Sequence, residues 1–457
     1  MNNDLLIRVR EGQSLSYLQK IRLVMTLSLP SMVAQLSSIM MQYIDASMVG
    51  RLGADAAAAI GLVASTTWLF GGLATSTAVG FSIQVAHFVG AKEYEKARQV
   101  LKNSYLIVLL FSVLLALVGV GISSWLPIWL RGAENIQSDA SWYFCIYSLS
   151  LVAMAVNRLA GSMLQCSGNM KVPGMLNSLM CLLDVLFNLV FIYGLEMGVR
   201  GAALGTTMAE VVTTAMMLYF LWKRTPLLAR RKEEAYVFHR DYVSKAIKLS
   251  LPVAFEHLVV CGAMVVTTRI VAPLGVIAIA ANSFAVTAES LCYMPGYGIC
   301  DAATTLIGQS VGAGRKNLAW SFGKLTVSFG MILMAVMGGM MYVFAPFLMK
   351  LLSADVAVCT LGVKILHIEA FAEPLYGASI VCTGVLRGAG DTLVPSVLNF
   401  VSLWLVRLPL SYVLGAKYGL TGIWLAMCME LCFRGSVFLI RLVRRRWLRL
   451  NTYERSA

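Results

Sequence analysis

The chain of 457 residues has few charged side chains, 13% in all, and only four histidines. Soluble domains carry about 25% charged residues. Together with 58% hydrophobic residues and a mean hydropathy of +0.75, this scarcity excludes an ordinary soluble domain and indicates a membrane protein. The four scattered histidines offer no nucleophile–base pair or metal cluster, so we predict a protein that is not an enzyme and needs no cofactor.

Two sequence patterns are missing from the chain. Alternating apolar and polar segments of strand length are almost absent, which leaves helices as the structure that satisfies its own backbone within lipid. A Gly-x4-Gly-Lys-Ser/Thr phosphate loop is also absent. We therefore predict that transport, if this is the function, draws on an ion gradient.

Long apolar runs make up most of the sequence. A helix needs about 20 mostly apolar residues to span a bilayer, and we count about twelve such runs. The first ones are Ile21–Ile44, Ala56–Val79, Tyr105–Leu126, Trp142–Met163 and Pro173–Gly194, and similar stretches continue to Leu442. The first run lacks a small-residue cleavage site, so we interpret it as a retained helix.

The formal net charge of +14 is unevenly distributed. Lysine and arginine gather at the N-terminus, in alternate loops such as the one that begins at Lys92, and in the tail after Arg441. By the positive-inside rule these segments are cytoplasmic, so both termini lie inside and the number of spans is even. We expect a bacterial inner (plasma) membrane location with the lipid bilayer as partner, and no nucleic acid. The ten cysteines show no metal or disulfide spacing and indicate packing residues.

The two halves of the chain repeat one another at an offset of 222 residues. Pro30, Gly53, Gly90, Gly168 and Pro173 recur as Pro252, Gly275, Gly312, Gly390 and Pro395 without any gap. Duplicated halves are common in transporters. The sequence thus predicts an all-α membrane protein of twelve transmembrane helices in two pseudo-symmetric six-helix lobes. We place the lobes at 1–222 and 246–445, a cytoplasmic connector at 223–245 and a basic tail at 446–457.

Acidic residues in the predicted spans do not follow the repeat. An ionisable group in hydrocarbon is costly, so each one is a functional candidate by default. The acids and their non-acidic repeat partners are Asp45 with Thr267, Asp184 with Val406, Glu256 with Ala34, Glu289 with Thr67, and Glu373 with Leu151. Such asymmetry favours a cation site in one lobe, although Asp184 could equally bond a neighbouring helix.

Asp184 and Asn188 are four residues apart and so share one helix face, where two side-chain oxygens can approach one ion. Asp45 and Asp184, if close together, cannot both be ionised comfortably without a cation. Protonation or Na⁺ binding would then favour one state of the protein and the exported compound the other, which is antiport by competition.

Several motifs, in order, resemble the multidrug and toxic compound extrusion (MATE) transporters of the bacterial type. They cover most of the chain and comprise Leu29-Pro30, Ile44-Asp45-Ala-Ser-Met-Val-Gly-Arg-Leu-Gly53, Val89-Gly90-Ala91-Lys92, Glu289-Ser-Leu-Cys-Tyr-Met-Pro295-Gly296, Gly308-Gln309-Ser-Val-Gly312 and Leu386-Arg387-Gly388-Ala389-Gly390-Asp391. The resemblance implies a V-shaped pair of lobes that exports cationic, lipophilic compounds in exchange for H⁺ or Na⁺.

The resemblance also implies site residues. The coupling cation, H⁺ or Na⁺, would bind among Asp45, Asp184, Asn188 and Thr206, and Na⁺ is the one metal that the resemblance implies. On the fifth span the acid and the amide stand in swapped order relative to the family, which leaves the choice of ion open. We expect a substrate cavity at Glu256, Glu289, Met264 and Tyr293, with a small molecule as partner and a monomeric protein.

Three alternatives remain open from the sequence. A flippase for a lipid-linked precursor would have a similar helix count but a more cationic cavity. A major-facilitator transporter, another duplicated twelve-helix family, would carry a Gly-x3-Asp-Arg-type loop where this chain has Gly90-Ala-Lys-Glu-Tyr. A membrane-embedded enzyme would need a catalytic cluster that the sequence does not offer.

Overall fold

The computed structural model describes residues 2–229, 237–353 and 355–449, and within these ranges it contains helices and no strand. The α-helices of eight or more residues are α1 (Asn2–Glu11), α2 (Tyr17–Gly50), α3 (Ala54–Gly90), α4 (Tyr94–Ile122), α5 (Glu134–Cys166), α6 (Lys171–Asn188), α7 (Gly198–Lys223), α8 (Arg240–Val271), α9 (Val276–Gly312), α10 (Lys316–Leu352), α11 (Val356–Glu369), α12 (Glu373–Gly388), α13 (Leu393–Phe400), α14 (Leu408–Tyr418) and α15 (Leu420–Val443). The prediction of an all-α membrane protein is confirmed.

Eleven helical segments of the described chain are long and apolar enough to span a membrane. The one remaining predicted span, the fourth of the second copy, is divided into α11, of 14 residues, and α12, of 16 residues. Each piece is shorter than the roughly 20 residues that a span needs. The break falls at residues 370–372, and a glutamate stands on either side of it, at Glu369 and at Glu373.

The 222-residue repeat is visible in the backbone. The helices α3 and α9 both contain 37 residues, and their first and last positions are 222 residues apart. The residues before them, Gly53 and Gly275, have φ angles of 116° and 93°, and the turn glycines Gly168 and Gly390 have φ angles of 96° and 89°. Glycine adopts these angles without the steric cost that a Cβ imposes. The repeated glycines therefore end and begin equivalent helices in the two copies.

The chain forms two compact units. The first unit contains Val33–His257 and has a core that includes Phe81, Phe144 and Leu159. The second unit contains the residues up to Met32 together with those from Leu258 onward. One of its core clusters includes Ile365 and Trp424.

A π-helical segment interrupts the fifth helix of each copy. Leu189–Gly194 follows α6 directly after Asn188, and Val401–Arg407 separates α13 from α14. Short π segments are uncommon and occur frequently at functional sites, because the wider turn changes the direction of neighbouring side chains. In both copies the segment adjoins a polar or charged residue of a spanning helix.

Glycines at positions 384 and 388 allow α12 to approach α9 closely. A Cβ on Gly384 would lie 2.4 Å from the Cys300 carbonyl oxygen, and a Cβ on Gly388 would lie 2.6 Å from the Thr304 carbonyl oxygen. The Thr304 hydroxyl also donates a hydrogen bond to the Gly384 carbonyl at 3.0 Å. Small residues four apart are typical of close helix pairs in membranes.

We expect Gly384→Ala to lower the stability of the second unit by about 1–3 kcal/mol, because the added methyl group overpacks the contact between α9 and α12. The melting temperature of the purified protein measures this loss. Gly339→Ala on α10 is the matched control, since a Cβ there has no neighbour within 4 Å. Equal melting temperatures for the two variants would contradict the close approach.

Candidate functional site

In the first unit, α2 and α6 bring together three of the predicted cation-site residues. The Asn188 side-chain amide donates one hydrogen bond to Asp45 Oδ1 at 2.9 Å and a second to Asp184 Oδ2 at 3.0 Å. Asp184 and Asn188 lie one turn apart on α6, so their side chains share a face as the spacing predicts. A single amide group therefore connects the two carboxyl groups.

This cluster is largely buried, and two of its side-chain oxygens have no hydrogen-bond donor. Asp184 and Asn188 have no exposed surface, and Asp45 is half-buried. Within the described residues, neither Asp184 Oδ1 nor Asn188 Oδ1 has a hydrogen-bond partner. A buried polar oxygen without a partner costs about 1–3 kcal/mol. A bound proton or a small cation would supply the partner that Asp184 Oδ1 lacks.

The types of ligand atom also limit which ions the cluster could bind. The cluster offers carboxyl and amide oxygens, which suit a proton or a hard cation such as Na⁺ rather than a soft transition metal. In the part of the chain that the structure describes, no group of three His, Cys, Asp or Glu side chains could hold a metal ion.

The fourth predicted residue, Thr206, lies on α7 beside a very close helix contact. A Cβ on the preceding residue, Gly205, would lie 2.0 Å from Asn188 Oδ1 and 3.0 Å from the Asn188 backbone nitrogen. Thr206 is half-buried, and its hydroxyl donates a hydrogen bond to the Ala202 carbonyl at 3.2 Å. Because the hydroxyl uses its hydrogen in this bond, its oxygen lone pairs could coordinate a cation. Glycine at position 205 is what allows α7 to approach Asn188.

The sequence analysis missed another buried acid of this unit. Glu210 lies one turn after Thr206 on α7, is 7% exposed, and accepts a hydrogen bond of 2.7 Å from the Asn157 amide of α5. Asn157 Oδ1 is itself buried and has no partner among the described residues. The four-residue spacing from Thr206 to Glu210 was a signal that could have identified it.

The second unit contains a cavity of about 590 Å³, and three of the four predicted substrate-cavity residues line it. Met264 of α8 and Glu289 and Tyr293 of α9 are among its walls. The fourth residue, Glu256, is half-buried on α8 and is not among the residues that line this cavity. Two arginines that the sequence did not assign to the cavity, Arg407 and Arg434, also line it.

Buried acids are more numerous in the second unit than the sequence led us to expect. Glu369 and Glu373 flank the break between α11 and α12, have no exposed surface, and have no hydrogen-bond partner among the described residues. Glu430 forms an ion pair with Arg434, at 2.9 Å between Oε1 and Nε. The sequence analysis did not identify Glu369, although its spacing of four residues from Glu373 could have indicated it.

Membrane-spanning helices that bury carboxyl groups and enclose a cavity with charged groups in its wall define an integral membrane transporter rather than a structural protein. The MatE family model matches the chain twice, at residues 30–190 and 252–413, and the two matches begin 222 residues apart. The chain therefore belongs to the MATE family of efflux transporters. The family match also removes the major-facilitator alternative, and it makes the chain a transporter and not an enzyme.

Relatives match over nearly the full length. The chain is 24% identical over 431 residues to the probable multidrug resistance protein NorM of Thermotoga maritima, covering 92% of each chain. It is 26% identical over 448 residues to the protein of the same name from Idiomarina loihiensis, covering 93% of this chain and 95% of the relative.

Solved structures share the fold. The Vibrio cholerae MATE transporter VcmN in its bent form is 19% identical, with a TM-score of 0.86 over 94% of this chain and 97% of that one. A multidrug resistance MATE family transporter in an outward-facing conformation is 20% identical, with a TM-score of 0.89 and the same coverage. At these identities the likeness extends to the fold alone, including its two lobes.

Proposed function

We propose that the protein is a secondary antiporter that exports small organic, lipophilic and cationic compounds in exchange for H⁺ or Na⁺. The observation that carries the proposal is the buried cluster of Asp45, Asp184 and Asn188, in which one amide joins two carboxyl groups and two buried oxygens lack partners. A bound cation completes this cluster, and the ion gradient then drives transport.

The mechanism follows from the charge of the cluster. Two carboxylates near one amide repel each other in a low-dielectric interior, so the cluster binds one cation or proton more tightly than two separate acids would. Coupling requires that the cation favour one state of the transporter and the substrate the other. We assign the cation to Asp45, Asp184, Asn188 and Thr206, with the loaded state releasing substrate outward.

The substrate class is supported by the names of the relatives, which are multidrug resistance proteins, and by the lining of the second-unit cavity. Apolar and aromatic walls with a few charged groups are typical of small-molecule sites. Met264 and Tyr293 would contact the apolar body, while Glu289 would face its positive charge. Glu256 does not line this cavity, and its contact with the substrate stays a proposal.

We also propose the four-part organisation given by the sequence, with an N-terminal lobe at 1–222, a connector at 223–245, a C-terminal lobe at 246–445 and a tail at 446–457. Residues 230–236 of the connector and 450–457 of the tail lie outside the described ranges. The positive-inside distribution supports cytoplasmic termini in a bacterial inner membrane. We propose a monomer surrounded by lipid.

Reconstitution in liposomes tests the proposal. A cationic dye such as ethidium is loaded, and its flux is followed first under an imposed pH gradient and then under an imposed Na⁺ gradient. We expect one of the two gradients to drive dye movement against its concentration, which also identifies the coupling ion. Flux that responds to neither gradient would rule out the antiporter.

A further inference from the structure

After α15 the chain turns back against α10 and holds its basic residues in fixed positions. Arg445 has a left-handed φ of 53°, which is uncommon for a residue other than glycine, and the short 3-10 helix Arg446–Arg449 follows it. Trp447 of this helix has no exposed surface, and its indole nitrogen donates a hydrogen bond of 3.0 Å to the Leu442 carbonyl. A Cβ on Gly323 of α10 would lie 3.7 Å from the Trp447 ring. The buried tryptophan therefore anchors the arginines that precede it.

Two cations flank one aromatic ring at this place. The Arg445 guanidinium carbon lies 4.3 Å from the ring centroid of Trp320, in the first turns of α10, and Lys324 Nζ lies 5.4 Å from a Trp320 ring centroid. Lys324, Arg444, Arg445 and Arg446 are all exposed. Across the described ranges, none of these four cations forms a salt bridge with a carboxylate. We call Trp320, Lys324 and the three arginines the basic corner.

The first copy of the repeat covers the equivalent place with its own chain. Arg98 of α4 stands at the repeat position of Trp320, is 5% exposed, and donates a hydrogen bond of 3.2 Å to the Leu227 carbonyl. The segment that follows α7 thus packs over Arg98, whereas Trp320 stays half-buried between its two cations. The basic corner is therefore a feature of the second copy, and the helix packing that both copies share does not explain it.

The basic corner continues directly into an exposed apolar surface. Ile440 and Val443 of α15 are 52% and 65% exposed. Arg444 lies four residues after Ile440 and so shares its helix face. Exposed aliphatic side chains of a spanning helix face hydrocarbon, and tryptophan is enriched at the depth of the lipid headgroups. The arginines and Trp320 therefore lie where the apolar surface ends and the headgroups begin.

We propose that the basic corner binds an anionic phospholipid of the cytoplasmic leaflet, with the headgroup phosphate on Arg444–Arg446 and an acyl chain along Ile440 and Val443. Guanidinium groups form paired hydrogen bonds with phosphate oxygens. Basic residues clustered directly after a spanning helix are typical of anionic-lipid sites. The inference goes beyond the transport activity, and it rests on the proposed orientation, in which the tail is cytoplasmic.

Binding of phosphatidylglycerol tests the inference. Purified full-length protein in a neutral detergent receives phosphatidylglycerol or, in a parallel series, phosphatidylcholine with the same acyl chains. Native mass spectrometry measures the amount of each bound lipid and gives its Kd. We expect the first phosphatidylglycerol to bind about tenfold or more tightly than the first phosphatidylcholine, because only the former carries a net negative charge.

We expect the double variant Arg445→Gln/Arg446→Gln to raise the Kd for phosphatidylglycerol about tenfold or more and to change the Kd for phosphatidylcholine less than about twofold. Trp320→Leu keeps every charge and should give a smaller rise, since it removes the ring on which Arg445 lies. The matched control is Lys223→Gln/Arg224→Gln, which removes two exposed cations from the repeat positions of Arg445 and Arg446. This control should bind phosphatidylglycerol as the wild type does.

Equal Kd values of the wild type for the two lipids, or equal losses in the two double variants, would overturn the lipid site. Displacement of phosphatidylglycerol by inorganic phosphate would show a site for free phosphate instead. Melting temperatures in neutral detergent confirm that the variants are folded. The assay contains no ion gradient, so loss of lipid preference with intact ion-driven flux would refute this inference alone. Lipid preference without ion-driven flux would refute the antiporter and leave the basic corner standing.

Discussion

We expect Asp45→Asn to abolish ion-driven dye export in liposomes and to reduce it to the level of protein-free vesicles, while the amount of folded protein stays unchanged. The reason is electrostatic. The substitution keeps the size of the side chain but removes one of the two carboxyl groups that Asn188 joins, so the cluster loses its excess negative charge and with it the coupling cation. Initial rates of ethidium flux under the driving gradient measure the effect.

The matched control is Asp55→Asn. Asp55 is exposed in the first turn of α3, outside the cluster, and its replacement should leave the driven flux at the wild-type rate. Melting temperatures of both variants separate loss of coupling from loss of folding. Driven flux of the wild-type size in Asp45→Asn would remove Asp45 from the coupling site.

We expect Gly205→Ala also to lower the rate of ion-driven flux strongly, although residue 205 carries no ionisable group. The new methyl group would lie 2.0 Å from Asn188 Oδ1, so the amide must move away from Asp45 and Asp184. Misplacement of a site group by about 1 Å can lower a rate by ~10²-fold, and we expect a loss of this order in driven flux. The measurement is the flux assay used for Asp45→Asn.

Gly61→Ala serves as the control for Gly205→Ala. Gly61 lies on α3, and a Cβ there has no neighbour within 4 Å, so this variant should transport normally. Alanine also suits a helix better than glycine. A Gly205→Ala protein that transports as Gly61→Ala does would show that Asn188 need not connect the two carboxyl groups.

Much of the fold could be predicted because membrane helices are specified by local composition. The repeat of Gly53 as Gly275 also fixed where α3 and α9 begin. The break between Glu369 and Glu373 could not be predicted, since the apolar run continues on both sides and the interruption depends on packing in the second unit.

The candidate site could be predicted only in part from the sequence. The four-residue spacing of Asp184 and Asn188 places both on one helix face, and the structure adds that Asn188 reaches Asp45 on another helix. Such contacts across helices depend on tertiary packing, which residue spacing does not encode. For the same reason Glu210 was missed, and Arg407 was not recognised as part of the cavity.

We propose that the coupling cation and the substrate compete through the cluster of Asp45, Asp184 and Asn188. The most direct test is the Kd of a cationic dye for the purified protein as a function of pH and of Na⁺ concentration. The wild type should bind the dye more weakly as the coupling cation becomes more abundant, and Asp45→Asn should show a constant Kd. A wild-type Kd that depends on neither cation, or an Asp45→Asn protein with the wild-type dependence, would contradict the claim.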